Sequence, residues 1–282
     1  MKQNLFKKMM VRGAILMASA LVFNSCGNAD NALENILKGA NVSSTVFKKY
    51  NPTTQQWETM ELAYFDYKKI TPETVAALGN VWGAGKYLVQ GSVTINNNIM
   101  GGGDGKLEFY LSDDAQLTIN GSLNYGDSDE GIEIHGQTNG TGQLIINSLD
   151  GPGIDAQNIV IDGGKLKASS STAEGINISG EAGGALVLHG GHVEAKATTT
   201  GTKGVDGKIG IGGGTAYIQG GGGAGGTACS SFYLLPKSPV APSGVTIWGS
   251  DDGTNWNYHD ELAPGEEHNC NDRYLKAELQ GF

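Results

Sequence analysis

Arginine is almost missing from this chain: of 282 residues, only Arg12 and Arg273 carry a guanidinium. Gripping phosphates by charge needs a basic patch, whereas the formal net charge here is −10, so nucleic acid and anionic polymers held by charge alone are excluded as partners. Cysteine is scarce as well, and Cys26, Cys229 and Cys270 have no spacing that suggests a metal site. The 7 prolines and the lack of a Gly-X-Y period exclude collagen, although glycine is abundant at 45 residues. The apolar run 14–23 falls well short of the ~20 residues that a membrane span requires. Aromatic residues are thin too, and the stretch from Gly126 to Gly214 contains none.

What is present begins with a Lys/Arg-rich start followed by that short apolar run, which is the pattern of a secretion signal over residues 1–25. The sequence "VFNSC" with Gly27 after it resembles a lipoprotein signal, which implies that Cys26 becomes an acylated mature N-terminus. Such a protein is anchored to the bacterial outer membrane or cell surface through lipid only. Removing residues 1–25 deletes four cations and no acids, taking the net charge from −10 to −14. In an exported protein, Cys229 and Cys270 are candidates for a disulfide, with two unpaired thiols as the alternative.

Residues 26–84 read as a tether and an N-terminal cap. Asp30 or Asn31 can cap a short helix carrying Ala32, Leu33, Ile36 and Leu37. In "TPETVAALGN" the expected helix has Thr71 as N-cap, Pro72 at its first position, Glu73 in the first turn and Gly79 as its stop.

From Gly85 the pattern changes to apolar triplets closed by a polar residue and glycine: "LTING", "IEIHG", "IVIDGG", "LVLHGG" and "AYIQGG". Alternation of this kind marks short strands, and glycine supplies the positive φ of a corner. A second marker is interleaved, "GIE" at Gly131, "GID" at Gly153, "GIN" at Gly175 and "GVD" at Gly204. Recurrence once every 22 to 30 positions fits one coil of a parallel β-helix, with neighbouring rungs ~4.8 Å apart. Ile161, Leu188 and Ile218 would form one inward ladder, and Ile132, Ile154, Ile176 and Val205 another. In "IVIDGGKLKA" (159–168) and "LVLHGGHVEA" (186–195), the apolar and glycine positions match while Asp162, Lys165 and Lys167 differ from their partners, as an outward variable face would. An antiparallel sandwich is the weaker fold, because it needs no coil-length repeat.

The series "GKYLVQGSVTINNNI", "LEFYLSDDAQLTING", "IEIHGQTNGTGQLIIN", "IVIDGGKLKA" and "IGIGGGTAYIQGG" resembles a family of exported bacterial carbohydrate-binding domain-containing β-helix proteins. That resemblance spans roughly residues 75–226. It implies an all-β, right-handed, single-stranded parallel β-helix, assigned to 85–228, at the cell surface, with polysaccharide as the class of ligand. The closing segment 229–282 contains "VTIWGSDDGTNWN" and "DRYLKAEL", which resemble two closing strands of discoidin-type domains. The simpler reading is a short β cap over the last coil, shielding open strand edges.

The strongest acidic cluster is "GDSDEGIE", and Asp127, Asp129 and Glu130 with Asp155 from the next coil could supply an oxygen shell for Ca²⁺. Solvated corner acids, Glu133 and Asp150 among them, are the alternative reading. A β-helix lyase needs a base opposite such acids; Arg273 lies outside the coils, leaving Lys165, Lys167, Lys203 and Lys208. A hydrolase needs two carboxylates ~5–10 Å apart, for which Asp155 and Asp162 are the nearest pair in the pattern. His135, His189 and His192 read as turn and outward-facing residues, with no third ligand in register. Sugar stacking needs aromatic faces, and Trp248, Trp256 and Tyr258, with Tyr233 and Tyr274 nearby, are concentrated in the last segment.

The expected function is a non-enzymatic surface lipoprotein whose scaffold binds polysaccharide or a host glycan, or mediates adhesion. A polysaccharide lyase or glycoside hydrolase is the first alternative. A structural surface spacer is the second.

Overall fold

A computed structural model describes residues 45–279 apart from 64–65, 127–129, 181–183, 236–244, 259–264 and 266. The expected signal peptide, Cys26 and the first helix lie outside the described residues. Val46–Phe282 form one compact unit.

That unit is the expected single-stranded parallel β-helix, with about seven turns. Its strands sort into a nine-stranded and a twelve-stranded sheet, joined in parallel wherever one coil stacks on the next. The two similar decapeptides occupy adjacent coils in perfect register: Ile159, Val160 and Ile161 pair with Leu186, Val187 and Leu188, and Lys165 to Ala168 pair with His192 to Ala195. Alternation sends Ile159, Ile161, Leu166, Leu186, Leu188 and Val193 into the interior, where all are fully buried. Each such side chain contributes roughly 1.5–3 kcal/mol through its removal from water.

Both expected ladders need one correction. Ile161 and Leu188 are continued by Ile211, whereas Ile218 stacks on Ala195 in the other sheet. Ile154, Ile176 and Val205 do stack, but Ile132 lies between Leu107 and Ile159 in the neighbouring column. The reason is that each coil bends between two strands of the larger sheet, so "GIE" and "GID" mark different columns.

Glycine fixes the corner between the sheets. Gly164, Gly191 and Gly214 all have φ between 74° and 78°. A Cβ on Gly191 would lie 2.5 Å from the Gly164 carbonyl oxygen, and one on Gly214 equally close to that of Gly191, so both conformation and space exclude a side chain. At another corner, Asn120 donates to Asn96 at 2.8 Å and Asn147 donates to Asn120 at 3.2 Å, an amide ladder that runs with the coils.

The region before the coils departs from expectation in two ways. The helix of "TPETVAALGN" is the single turn Val75–Leu78, beginning after Thr74. Thr71 and Thr74 hydrogen-bond to one another, and Thr74 Oγ1 also donates to the Lys69 carbonyl, so these hydroxyls organise a turn. Gly79, at φ 62°, ends it as expected.

The strands Thr45–Asn51 and Gln56–Leu62 form a hairpin that does not cover the end of the coil stack. Instead, Phe47 packs edge-on against Tyr110 at 5.1 Å, Lys49 reaches Glu133, and Tyr50 packs on His189 at 4.4 Å between ring centres. Tyr110, Glu133 and His189 belong to successively higher rungs, so the hairpin lies along the outer wall of the larger sheet as a strap. Near the N-terminal end, the strand Tyr67–Ile70 pairs below residues 86–89, Val75 and Leu78 pack on the core, and buried Trp82 stacks on Tyr87 at 5.3 Å.

At the other end both sheets continue in antiparallel strands. Tyr274–Leu279 pairs with Thr215–Gln219 and with Val245–Ser250, while Glu267–Asn269 pairs with Cys229–Leu234. The C-terminal β segment therefore extends the sheets and carries the core on through Ile247, Leu275 and Ala277, all buried.

Candidate functional site

The aromatic residues singled out near the C-terminus come together on the outer face of the smaller sheet. Tyr217, Lys276 and Trp248 stand opposite one another on three neighbouring strands. Tyr274, Tyr217 and Trp256 form a triangle with ring centres 6.2 to 6.5 Å apart. Lys276 sits 5.2 Å over the Trp248 ring and Arg273 5.1 Å over Tyr274. All four rings are half-buried, so each is propped by neighbours while keeping part of a face toward solvent. Tyr258 pairs through its backbone with Trp248, and its side chain lies outside the described residues. Tyr233 is on the other sheet, away from this group.

The turn between Trp248 and Trp256 is held by Asp252, whose carboxylate accepts the Thr254 and Asn255 amides at 2.8 Å each. Those backbone hydrogen bonds hold its carboxyl well below the usual range.

Of the expected calcium ligands, Asp127 and Asp129 lie outside the described residues. Glu130 is exposed, and Asp155 accepts a hydrogen bond from Asn177 on the next coil at 3.1 Å. Three of the four lysines considered as bases are engaged with acids, Lys167 with Glu194, Lys203 with Asp206 and Lys208 with Glu267, while Lys165 pairs through its backbone with Gln143 and His192. Asp155 and Asp162 sit in different columns of the larger sheet and do not form a facing pair of acids.

Cys229 and Cys270, the candidate disulfide pair, are both buried and lie side by side as thiols. Burial, then the neighbouring Cys270, pushes the Cys229 thiol up. The hydrogen bond from Cys229 draws Cys270 down.

The largest departure is under the strap. His135 and His189, read as outward-facing, and Asp162, read as part of a variable face, are buried. Asp162 and His189 follow the paired residues Ile161 and Leu188, so they stack on adjacent coils, with His189 Nδ1 2.9 Å from Asp162 Oδ1. His135 stacks on Asp162 from the coil on its other side, its Nδ1 3.2 Å from Asp162 Oδ2. Its Nε2 lies 3.3 Å from Glu133 and 3.8 Å from Glu108. Tyr110 donates to Glu108 at 2.5 Å, while Lys49 and Lys106 bind the two oxygens of Glu133.

Charges in this cluster set one another. Burial resists ionisation of Glu133, but His135, Lys106 and Lys49 hold its carboxyl well below the usual range. Burial likewise opposes charge on Asp162, and His135 and His189 outweigh it. Burial of Tyr110 and the Glu108 carboxylate push its phenol far up. The missed signal was the strap itself: "TVFKKYN" sets two aromatic residues, Phe47 and Tyr50, around a lysine pair and has no coil-length partner.

Comparison with protein-family models, curated proteins and solved structures returned no match. Among the described residues, no helix is long and apolar enough to cross a membrane.

Proposed function

We propose that this protein is a surface-displayed β-helix that binds polysaccharide without cleaving it, held to its membrane by acyl chains on Cys26. The observation that carries this reading is the half-exposed group Tyr217, Trp248, Trp256 and Tyr274 with Lys276 and Arg273 among the rings. Pyranose rings present apolar C–H faces and equatorial hydroxyls, and flat aromatic faces beside cationic donors suit both. The strands beneath belong to the continuous sheet, so the platform is rigid before any ligand arrives. A non-catalytic role is supported by the acids of the coils: Glu108, Glu133 and Asp162 are engaged by Tyr110, lysines and histidines under the strap.

Retention of the purified chain on a panel of immobilised polysaccharides tests this. Binding is expected to fall about tenfold or more in Trp256→Ala and Tyr274→Ala, a loss of roughly 1.4 kcal/mol. Release of reducing ends or unsaturated sugars would replace binding by catalysis, and no retention on any glycan would leave the spacer reading. Acyl labelling that vanishes in Cys26→Ser checks the anchor.

A further inference from the structure

The cluster beneath the strap has the makings of a metal centre, and it is independent of the aromatic platform. His135 Nε2, a Glu133 oxygen and a Glu108 oxygen all lie within 4.8 Å of one another. Four ligands at the ~2.0–2.1 Å bond lengths of zinc are separated by about 3.3 Å along the edges of the tetrahedron. The His135–Glu133 edge is 3.3 Å and the His135–Glu108 edge 3.8 Å, close to that spacing, and the Glu108–Glu133 edge is within 4.8 Å.

A second observation is separate from the acids. His135 is wholly buried, yet neither ring nitrogen makes a hydrogen bond of acceptable geometry. Its neighbouring carboxylates are at ion-pair distance but out of line. The misalignment leaves part of the ring's hydrogen-bonding capacity unused although carboxylates stand beside both nitrogens, and a metal ion at Nε2 would take up that capacity.

The surroundings supply the outer support that such centres use. Asp162 Oδ2 lies 3.2 Å from His135 Nδ1, on the far side of the ring from Glu133 and Glu108, and Asp162 is itself held by His189. A carboxylate behind a ligating histidine fixes the tautomer and raises the basicity of the ligand. The coil register generates this line without special loops, since Glu108 pairs with Glu133 and Tyr110 with His135 on adjoining rungs.

We propose that His135, Glu133 and Glu108 bind a zinc-like divalent transition-metal ion, with Asp162 and His189 as outer support and a fourth position left to water. Calcium and magnesium are disfavoured, because one ligand is imidazole and too few oxygens converge. Lys49 is the competing cation: its ammonium is 2.7 Å from Glu133 Oε2, and it arrives on the strap. Metal binding thus competes with one of the strap's own contacts.

Chelator-treated full-length protein titrated with Zn²⁺ by calorimetry, and with Co²⁺ by visible absorption, tests the site. Stoichiometric binding with the intense bands of tetrahedral cobalt is expected. His135→Ala should abolish those bands, Asp162→Asn should weaken binding about 10–100-fold, and His192→Ala should leave it unchanged. Glu108→Gln keeps the side-chain shape and should lose affinity while its circular dichroism stays native. Lys49→Ala should bind metal more tightly, an effect that a purely ionic cluster would not give. No metal uptake by the wild type, or uptake unaltered in both His135→Ala and Glu108→Gln, overturns the proposal.

Discussion

The Asp162 carboxylate lies 2.9 Å from the ring of His189 one coil further on, in a position where both side chains are nearly sealed from water. Removing the carboxylate while leaving its partners buried should be far costlier than removing a surface acid. Asp162→Ala is expected to lower unfolding free energy by about 3 kcal/mol, whereas Asp114→Ala, at an exposed turn, should be within ~0.5 kcal/mol apart from its own backbone effect. Urea denaturation of the two variants decides it, and equal losses would contradict a buried, paired Asp162.

Corner glycines should separate by the space around them. Gly191 and Gly140 both have positive φ, but a Cβ on Gly140 meets nothing within 4 Å, while one on Gly191 meets the backbone of the coil beneath. Gly140→Ala should cost about 1 kcal/mol and Gly191→Ala distinctly more, about 3 kcal/mol or failure to fold. Thermal melts of both give the comparison.

The two thiols should react in order. Cys270 is drawn toward its thiolate by the hydrogen bond from Cys229, whereas burial keeps Cys229 protonated. Brief alkylation of folded protein followed by peptide mass spectrometry is expected to find label on Cys270 first, with both sites labelled equally after denaturation. Earlier labelling of Cys229 would contradict the assignment.

His192 should act in the acid direction. Burial, with Lys167 and Lys165 nearby, lowers its pKa below the ordinary histidine value despite the opposing Glu194, and its Nδ1 lies 2.7 Å from the Thr215 hydroxyl. As pH falls through the unfolded value of about 6.5, the unfolded chain takes up a proton that the folded chain resists, so stability drops until the folded group titrates too. His192→Gln removes that component, and its stability between pH 7 and pH 5 should fall less than that of the wild type. An NMR titration of the His192 ring fixes the direction independently.

Most of the coil architecture was legible because stacking writes itself into sequence as repetition: Ile159 and Leu186 recur at coil spacing because they occupy one column. The same reasoning misled at Ile132 and Ile218, since a triplet ending in glycine does not say which column of the coil it serves. It failed at His135, Asp162 and His189 for a different cause. Outward position along a strand is local information, but burial of that outer face depends on Phe47, Lys49 and Tyr50, far away in sequence and outside the repeat. The aromatic group was half legible. Trp248 and Trp256 stood out by composition, while Tyr217 joins them only because its coil pairs with the strand of Tyr274.

The strap also sets a length standard for the coil stack. From the rung of Tyr110 to that of His189 there are three steps of ~4.8 Å, about 14 Å, and the residues from Phe47 to Tyr50 span ~10 Å of extended chain. Solenoids readily gain and lose whole turns in evolution, since one coil is much like the next. Within this interval a gained or lost turn would move His189 away from Tyr50 and Glu133 away from Lys49 together. Growth of the stack is therefore free beyond His189 or below Tyr110, and turns gained beyond His189 would carry the aromatic platform further from the strap while the strapped coils keep their count.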